Sequence, residues 1–200
     1  MTTHERFILE DGSYIRFKKS GSGKPLILLH TIRSRLEYFD QIIPLLENFY
    51  TVYALDLPGF GDSPVNKNAN YDQSYMTKAI VDFATKNQLF KLTLAGESIG
   101  GVLCATVAMM LPKQVEKIFV FNPYDYDTNF GEGVRRANLF ARFIIWNMSL
   151  PVVGNFFAAL ENKLILWLIF RGGVYNKKAI TFKYISPVSY THLRAHETEE

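Results

Sequence analysis

Residues 92–101, Leu-Thr-Leu-Ala-Gly-Glu-Ser-Ile-Gly-Gly, constrain the fold more than any other stretch, because a short apolar strand runs through a Gly-x-Ser-x-Gly turn straight into an apolar helix. A serine hydroxyl is a poor nucleophile until a base takes its proton, and it must also be presented where a substrate carbonyl can reach it. A sharp strand-to-helix turn makes that presentation. Gly96 and Gly100 lie two residues either side of Ser98, where side chains would crowd a strained backbone. Ile99 then opens a helix whose first N–H groups lack internal partners and point toward developing negative charge. Ser98 is therefore the candidate catalytic nucleophile. Five-residue strings of this kind also arise by chance, so the reading depends on whether the flanking sequence supplies a sheet for the turn to sit on.

It does. Residues 6–10 and 14–18 flank the turn signal Asp11-Gly12-Ser13, which predicts a hairpin at one edge of a sheet. After a flexible Ser-Gly-Ser-Gly comes the continuous apolar run 25–30, the pattern of a strand buried on both faces. Helical apolar spacing follows over 36–49, shortened or kinked by Pro44, and 50–57 is the next strand. Residues 58–64 form a loop by composition, and Asp72 is placed to cap a helix carrying Met76, Ala79, Ile80 and Phe83 on one face. Beyond the serine, 102–111 is apolar nearly all round, as a helix buried beneath a sheet would be, and 115–121 supplies a sixth strand. This order predicts an α/β fold with a mostly parallel, doubly wound sheet. Two hundred residues with 48% hydrophobic side chains are enough for one well-filled core.

Several function classes are disfavoured. A net charge of +3 without a Lys/Arg block or zinc spacing argues against nucleic acid as a partner, and no motif calls for a metal or other cofactor. The single cysteine, Cys104, cannot form an internal disulfide and falls in the apolar helix as a small core residue. No basic segment with a following apolar stretch and cleavage site opens the chain, so the expected setting is cytoplasmic. Residues 130–170 carry a heavy load of large apolar side chains, and 143–160 are free of charge. Pro151 and Gly154 break that run and Asn147, Ser149 and Asn155 add polar groups, which favours a helical cap over an apolar acyl pocket rather than a membrane span. Peripheral contact of such a lid with lipid stays open.

Three landmarks in order give the chain a resemblance to the α/β-hydrolase superfamily, in its esterase-like and epoxide-hydrolase-like branch. They are Leu28-Leu29-His30 ending the third strand, Asp56-Leu57-Pro58-Gly59-Phe60-Gly61-Asp62-Ser63 after the fourth, and Gly96-Glu97-Ser98-Ile99-Gly100. The resemblance covers about residues 5–125 and implies an eight-stranded sheet in the complete protein, with a cap inserted after the sixth strand. It divides the chain into a core over 1–128, a cap region over 129–185 and a tail over 186–200. By position it assigns the oxyanion hole to the backbone N–H groups of Ile99 and Ile32, with Thr31 standing where relatives often have glycine. His30 is a structural histidine on this reading, and Asp56, Asp62 and Ser63 tie down their turn.

The resemblance places the triad acid after the sixth or seventh strand, which makes Asp125 a candidate acid with Asp127 behind it. It places the histidine after the last strand. Only His192 and His196 follow Ser98, without an apolar strand before them, so the last strands are expected to be missing and the tail foreign or disordered. Serine rather than aspartate at the turn points to an ester, thioester, amide or activated carbon–carbon bond instead of an epoxide or halide. The expected protein is a serine hydrolase that forms an acyl-enzyme on Ser98 with a small apolar acyl substrate, inactive without a complete triad. The alternatives are an acyltransferase and a non-catalytic binding protein of the same fold.

Overall fold

The computed structural model describes residues 4–32 and 34–123, together with the single positions 139, 143, 164, 167, 171 and 178. The expected hairpin consists of β1 (His4–Ile8) and β2 (Tyr14–Ser20), paired antiparallel. At its tip Asp11 Oδ1 accepts from the Ser13 N–H at 2.9 Å and the Ser13 hydroxyl at 2.6 Å, and Gly12 takes a φ of +83°. Strands β3 (Lys24–Leu29), β4 (Tyr50–Leu55), β5 (Leu92–Glu97) and β6 (Val115–Phe121) complete a sheet in the order β1-β2-β4-β3-β5-β6. Pairings β3–β4, β3–β5 and β5–β6 are parallel, while β2 joins β4 antiparallel.

Alternation along the central strands builds two separate cores. Ile27, Leu29, Tyr53, Leu55 and Leu94 point to one face, where they meet α2 (Gln73–Lys86) and α3 (Ile99–Met110). Leu26, Leu28, Val52 and Ala54 point to the other, against Leu36, Phe39 and Ile43. Helices on both faces of a mostly parallel sheet are the doubly wound arrangement expected. Phe83 of α2 is fully buried and meets the rings of Phe7, Phe17 and Tyr53 edge-on, at centroid distances of 5.2, 5.0 and 5.8 Å. Asp72 caps α2, its Oδ1 accepting from the Tyr75 N–H at 2.8 Å.

Two elements differ from the sequence expectation. The helix predicted over 36–49 is a 3-10 turn, Leu36–Phe39, followed by the short α1, Ile43–Leu46. Pro44 sits in the first turn of α1, where its missing N–H is harmless, but it cannot continue a helix coming from residue 36. Helix α3 is also not buried all round. It packs through the stripe Gly100, Leu103, Cys104 and Val107, while Met109 and Met110 are exposed. Cys104 is buried as expected, and burial pushes its thiol up to about 12.

The strand order also locates a crevice. From β3 the chain moves to one side to form β4, then crosses back to form β5 on the other side. Loops leaving the C-terminal ends of β3 and β5 therefore diverge at this switch point, where open α/β sheets bind ligands. Leu29 pairs with both Gly96 and Leu55, so His30, Glu97 and Asp56 follow from one level of the sheet.

The chain divides into two compact units, Met1–Pro123 and Tyr124–Glu200. Within the second, the Arg171 guanidinium lies over the Trp167 ring at 4.3 Å. The cap expected over 129–185 falls mostly, and the tail over 186–200 wholly, outside the described residues. Among the described residues no helix is long and apolar enough to cross a membrane, and no cluster of three or more His, Cys, Asp or Glu side chains is arranged to hold a metal.

Candidate active site

Ser98 sits at the apex between β5 and α3 with φ 55° and ψ −118°, a conformation that costs a side-chain-bearing residue about 1–3 kcal/mol. The surroundings hold it there. Its N–H donates to the Phe121 carbonyl at 2.9 Å, anchoring the turn to the end of β6. Its own carbonyl accepts from the N–H groups of Gly101 at 3.0 Å and Val102 at 3.2 Å, the first hydrogen bonds of α3. The Ile99 N–H precedes those bonds and has no partner within the helix. A Cβ on Gly96 would stand 2.4 Å from the Gly100 carbonyl, so the turn closes this tightly only with glycine. A Cβ on Gly100 would stand 2.3 Å from the Leu29 carbonyl oxygen and 2.8 Å from that of His30. The first turn of α3 therefore lies directly against the end of β3.

The loop leaving β3 is held from beneath. His30 is fully buried, with Nδ1 2.7 Å from the Thr31 carbonyl and Nε2 accepting the Leu57 N–H at 3.0 Å. Burial lowers its pKa below the ordinary histidine value, so the ring is kept neutral. Ile32, two residues on, has a side chain that is 56% exposed.

A buried ionic network binds this loop to its neighbours. The carboxylate of Asp56, directly after β4, accepts from the Leu36 N–H at 2.7 Å, the Asp62 N–H at 2.9 Å and Arg16 Nε at 2.6 Å. Glu37 accepts from both terminal nitrogens of Arg16 at 2.9 Å, and from Arg35 Nε and Nη2, the latter at 2.8 Å. Asp62 lies 2.8 Å from Arg16 and 3.4 Å from Arg35. The Ser63 hydroxyl accepts from the Arg16 N–H and donates to the Asp56 carbonyl. Burial alone would raise the Glu37 carboxyl, but the bonds from Arg35 and Arg16 outweigh it and hold it at about 2. Finally, the Tyr38 hydroxyl donates to Glu97 at 2.7 Å, joining the 3-10 turn to the residue immediately before Ser98.

A profile of the alpha/beta hydrolase fold family matches residues 24–143. The chain belongs to the α/β-hydrolase family. It is 28% identical over 150 residues to the abhydrolase domain-containing protein abhd-5.2 of Caenorhabditis elegans, covering 70% of this chain and 34% of that protein. It is 32% identical over 134 residues to a serine hydrolase-like protein of Mus musculus, covering 63% and 43% respectively. In fold it is similar to a mutant form of the meta-cleavage product hydrolase CumD, with a TM-score of 0.75, 19% identity and coverage of 98% of this chain and 66% of that one. The matches span about a third to two-fifths of the length of these curated relatives.

In this member of the α/β-hydrolase family the structure brings Ser98, Ile99 and the loop bearing Ile32 to one edge of the sheet, at the switch point. Asp125, Asp127, His192 and His196 lie outside the described residues, and β6 is followed by Asn122 and Pro123 at the same edge. The sequence reading overlooked Arg16, Arg35, Glu37 and Tyr38. One signal for Arg16 was available: it stands between Ile15 and Phe17 in a strand, where a charge on the buried side requires carboxylate partners. No comparable pattern marks Tyr38.

Proposed function

We propose that this α/β hydrolase is a serine hydrolase acting on an ester or related acyl substrate through an acyl-enzyme on Ser98. The observation carrying this reading is the positive-φ, strained backbone of Ser98 at the N-terminus of α3, at the switch point in the strand order. The Oγ attacks the carbonyl carbon, its proton passes to a histidine base, and the negative charge that develops on the carbonyl oxygen is met by the N–H groups of Ile99 and Ile32. Each such donor contributes about 10²–10³ in rate. The alcohol then leaves with the proton, and water releases the acyl group by the same steps in reverse order. The name of the mouse relative, a serine hydrolase-like protein, agrees with this chemistry.

On this reading Asp125 is the candidate acid and 129–185 the candidate cap region of a cytoplasmic enzyme needing no cofactor. On the same reading the 200-residue chain is expected to be inactive or nearly so. His30 is committed to two hydrogen bonds, His4 lies on β1 near Glu37, and only His192 and His196 remain to act as base. Without a positioned base the hydroxyl forgoes about 10²–10⁴ in rate.

The test uses the full-length protein encoded by the gene, treated with a fluorophosphonate probe and assayed on nitrophenyl esters. Ser98 is expected to carry the label, and Ser98→Ala to abolish both labelling and hydrolysis. Labelling that survives the substitution removes Ser98 from the mechanism. Ester binding without turnover in the unmodified protein would favour a non-catalytic binding protein, and faster transfer to an added alcohol than to water would favour an acyltransferase.

A further inference from the structure

We propose that His30 is a positioning residue for the second oxyanion donor: the hydrogen bond from its ring to the Thr31 carbonyl sets the plane of the peptide that carries the Ile32 N–H. The inference rests on the serine-hydrolase reading above.

The two ring contacts define the tautomer between them. A backbone N–H only donates, so the Leu57 N–H, 3.0 Å from Nε2, requires that nitrogen to be unprotonated. The proton of the neutral ring is then on Nδ1, where the Thr31 carbonyl at 2.7 Å accepts it. The ring has no freedom to exchange these roles. It is fully buried, and the Phe60 ring meets it edge-on at a centroid distance of 5.7 Å.

The Thr31 carbonyl and the Ile32 N–H belong to one peptide unit, which is planar and trans, so they point in opposite directions. Drawing the carbonyl toward the buried imidazole therefore turns the Ile32 N–H away from it. Among the described residues no group accepts that N–H. The backbone is fixed on the other side as well, because the His30 carbonyl lies against the first turn of α3, where the Ile99 N–H opens. Released from the ring, the Thr31–Ile32 peptide is free to rotate about its flanking bonds. A rotation by half a turn puts a carbonyl oxygen where a donor is needed.

Asparagine and glutamine separate the two functions of the ring. An Asn amide reaches about the position of Nδ1 and donates to the Thr31 carbonyl, leaving the Leu57 N–H unpaired. A Gln amide reaches about the position of Nε2 and accepts from Leu57, leaving the Thr31 carbonyl free. In the full-length protein, with nitrophenyl ester as substrate, His30→Asn is expected to keep kcat within about tenfold of the parent, and His30→Gln to lose about 10²–10³ fold at nearly unchanged KM. Stability is expected in the opposite order, with Gln above Asn, because the Leu57 N–H is the more deeply buried group. Equal losses of kcat, or a larger loss in the Asn variant, would overturn the proposal and leave His30 as a loop-holding residue only.

A measurement on the unsubstituted protein covers the case in which neither variant folds. Nitrogen NMR of histidine-labelled chain is expected to show His30 as the Nδ1–H tautomer at neutral pH. The Nε2–H tautomer or an imidazolium would overturn the proposal. Hydrolysis that survives Ser98→Ala would overturn both this inference and the reading beneath it, whereas Ser98-dependent hydrolysis with the reverse Asn/Gln order overturns this one alone.

Discussion

Replacing Gly100 by alanine tests how closely the nucleophile turn and the end of β3 must approach. The added Cβ would lie 2.3 Å from the Leu29 carbonyl oxygen and 2.8 Å from the His30 carbonyl oxygen, whereas ordinary contact begins at 3.4 Å. Both obstacles are backbone, and Leu29 is held in the ladder between β4 and β5, so neither can swing aside as a side chain would. The first turn of α3 and the end of β3 must part by about 1 Å. Overpacking of this kind costs about 1–3 kcal/mol in stability. The same displacement separates the segment bearing Ile99 from the segment bearing Ile32, and about 1 Å of misplacement at a reacting centre costs about 10² in rate. Two controls bracket the effect. Gly101→Ala meets a side-chain methyl of Val120 at 2.8 Å and the Gly96 carbonyl oxygen only at 3.2 Å, a milder clash than two backbone oxygens at 2.3 and 2.8 Å, and its cost is expected to be smaller. Gly12→Ala has open space and only a φ of +83° against it, which costs about 1–2 kcal/mol with no effect on kcat. Urea unfolding followed by circular dichroism gives the stabilities, and kcat for a nitrophenyl ester in the full-length protein gives the rate. Full kcat in Gly100→Ala would refute the close-approach argument.

Glu37 supplies a pH dependence with a definite sign. Its carboxyl is held at about 2 against an ordinary 4.5, so its stabilisation is complete above about pH 4.5 and is lost as the pH falls from there through 2; the full depression corresponds to about 3 kcal/mol as an upper bound. Asp11, held at about 2 chiefly by its bond from the Ser13 hydroxyl, titrates in the same window, so the diagnostic quantity is the difference between parent and Glu37→Gln. The variant is expected to show a shallower fall in unfolding free energy between pH 5 and 3, and parallel curves would count against the network. Phe83→Ala removes a fully buried ring that three other rings pack against, and is expected to cost about 3–5 kcal/mol by urea unfolding; a loss below 1 kcal/mol would mean that this face of the sheet is not packed as described.

Local signals in the sequence located most of the elements because each rests on a short-range cause. The Asp11-Gly12-Ser13 turn, the Asp72 cap and the apolar run 25–30 report backbone chemistry that neighbouring residues decide, and β6 falls over the residues expected. The 36–49 segment failed where two local signals conflicted: apolar spacing favoured one helix, and Pro44 divided it. The exposure of Met109 and Met110 was not legible either. An apolar helix face shows that burial is favourable but not how far the supporting strands extend beneath it.

The site divides along the same line. The serine, its flanking glycines and Ile99 occupy one contiguous stretch, so spacing alone put them on one strand-to-helix turn. The supports come from far along the chain: Arg16 reaches Asp56 across 40 residues and Glu37 across 21, and Tyr38 reaches Glu97 across 59. No periodicity encodes such pairings, because they exist only once the switch in strand order has brought the ends of β3, β4 and β5 to one level. This bears on how the site is stabilised. The strain at Ser98 is about 1–3 kcal/mol. Removing one partner from a buried, hydrogen-bonded ion pair leaves an uncompensated charge and costs about 3–5 kcal/mol. Asp56 holds the Leu36 N–H and Glu37 lies in the same 3-10 turn as Tyr38, whose hydroxyl reaches Glu97, so a carboxylate left without its partner is felt one residue from Ser98. Truncating Arg16 should therefore disturb the geometry around Ser98, even though the guanidinium has no part in the proposed chemistry.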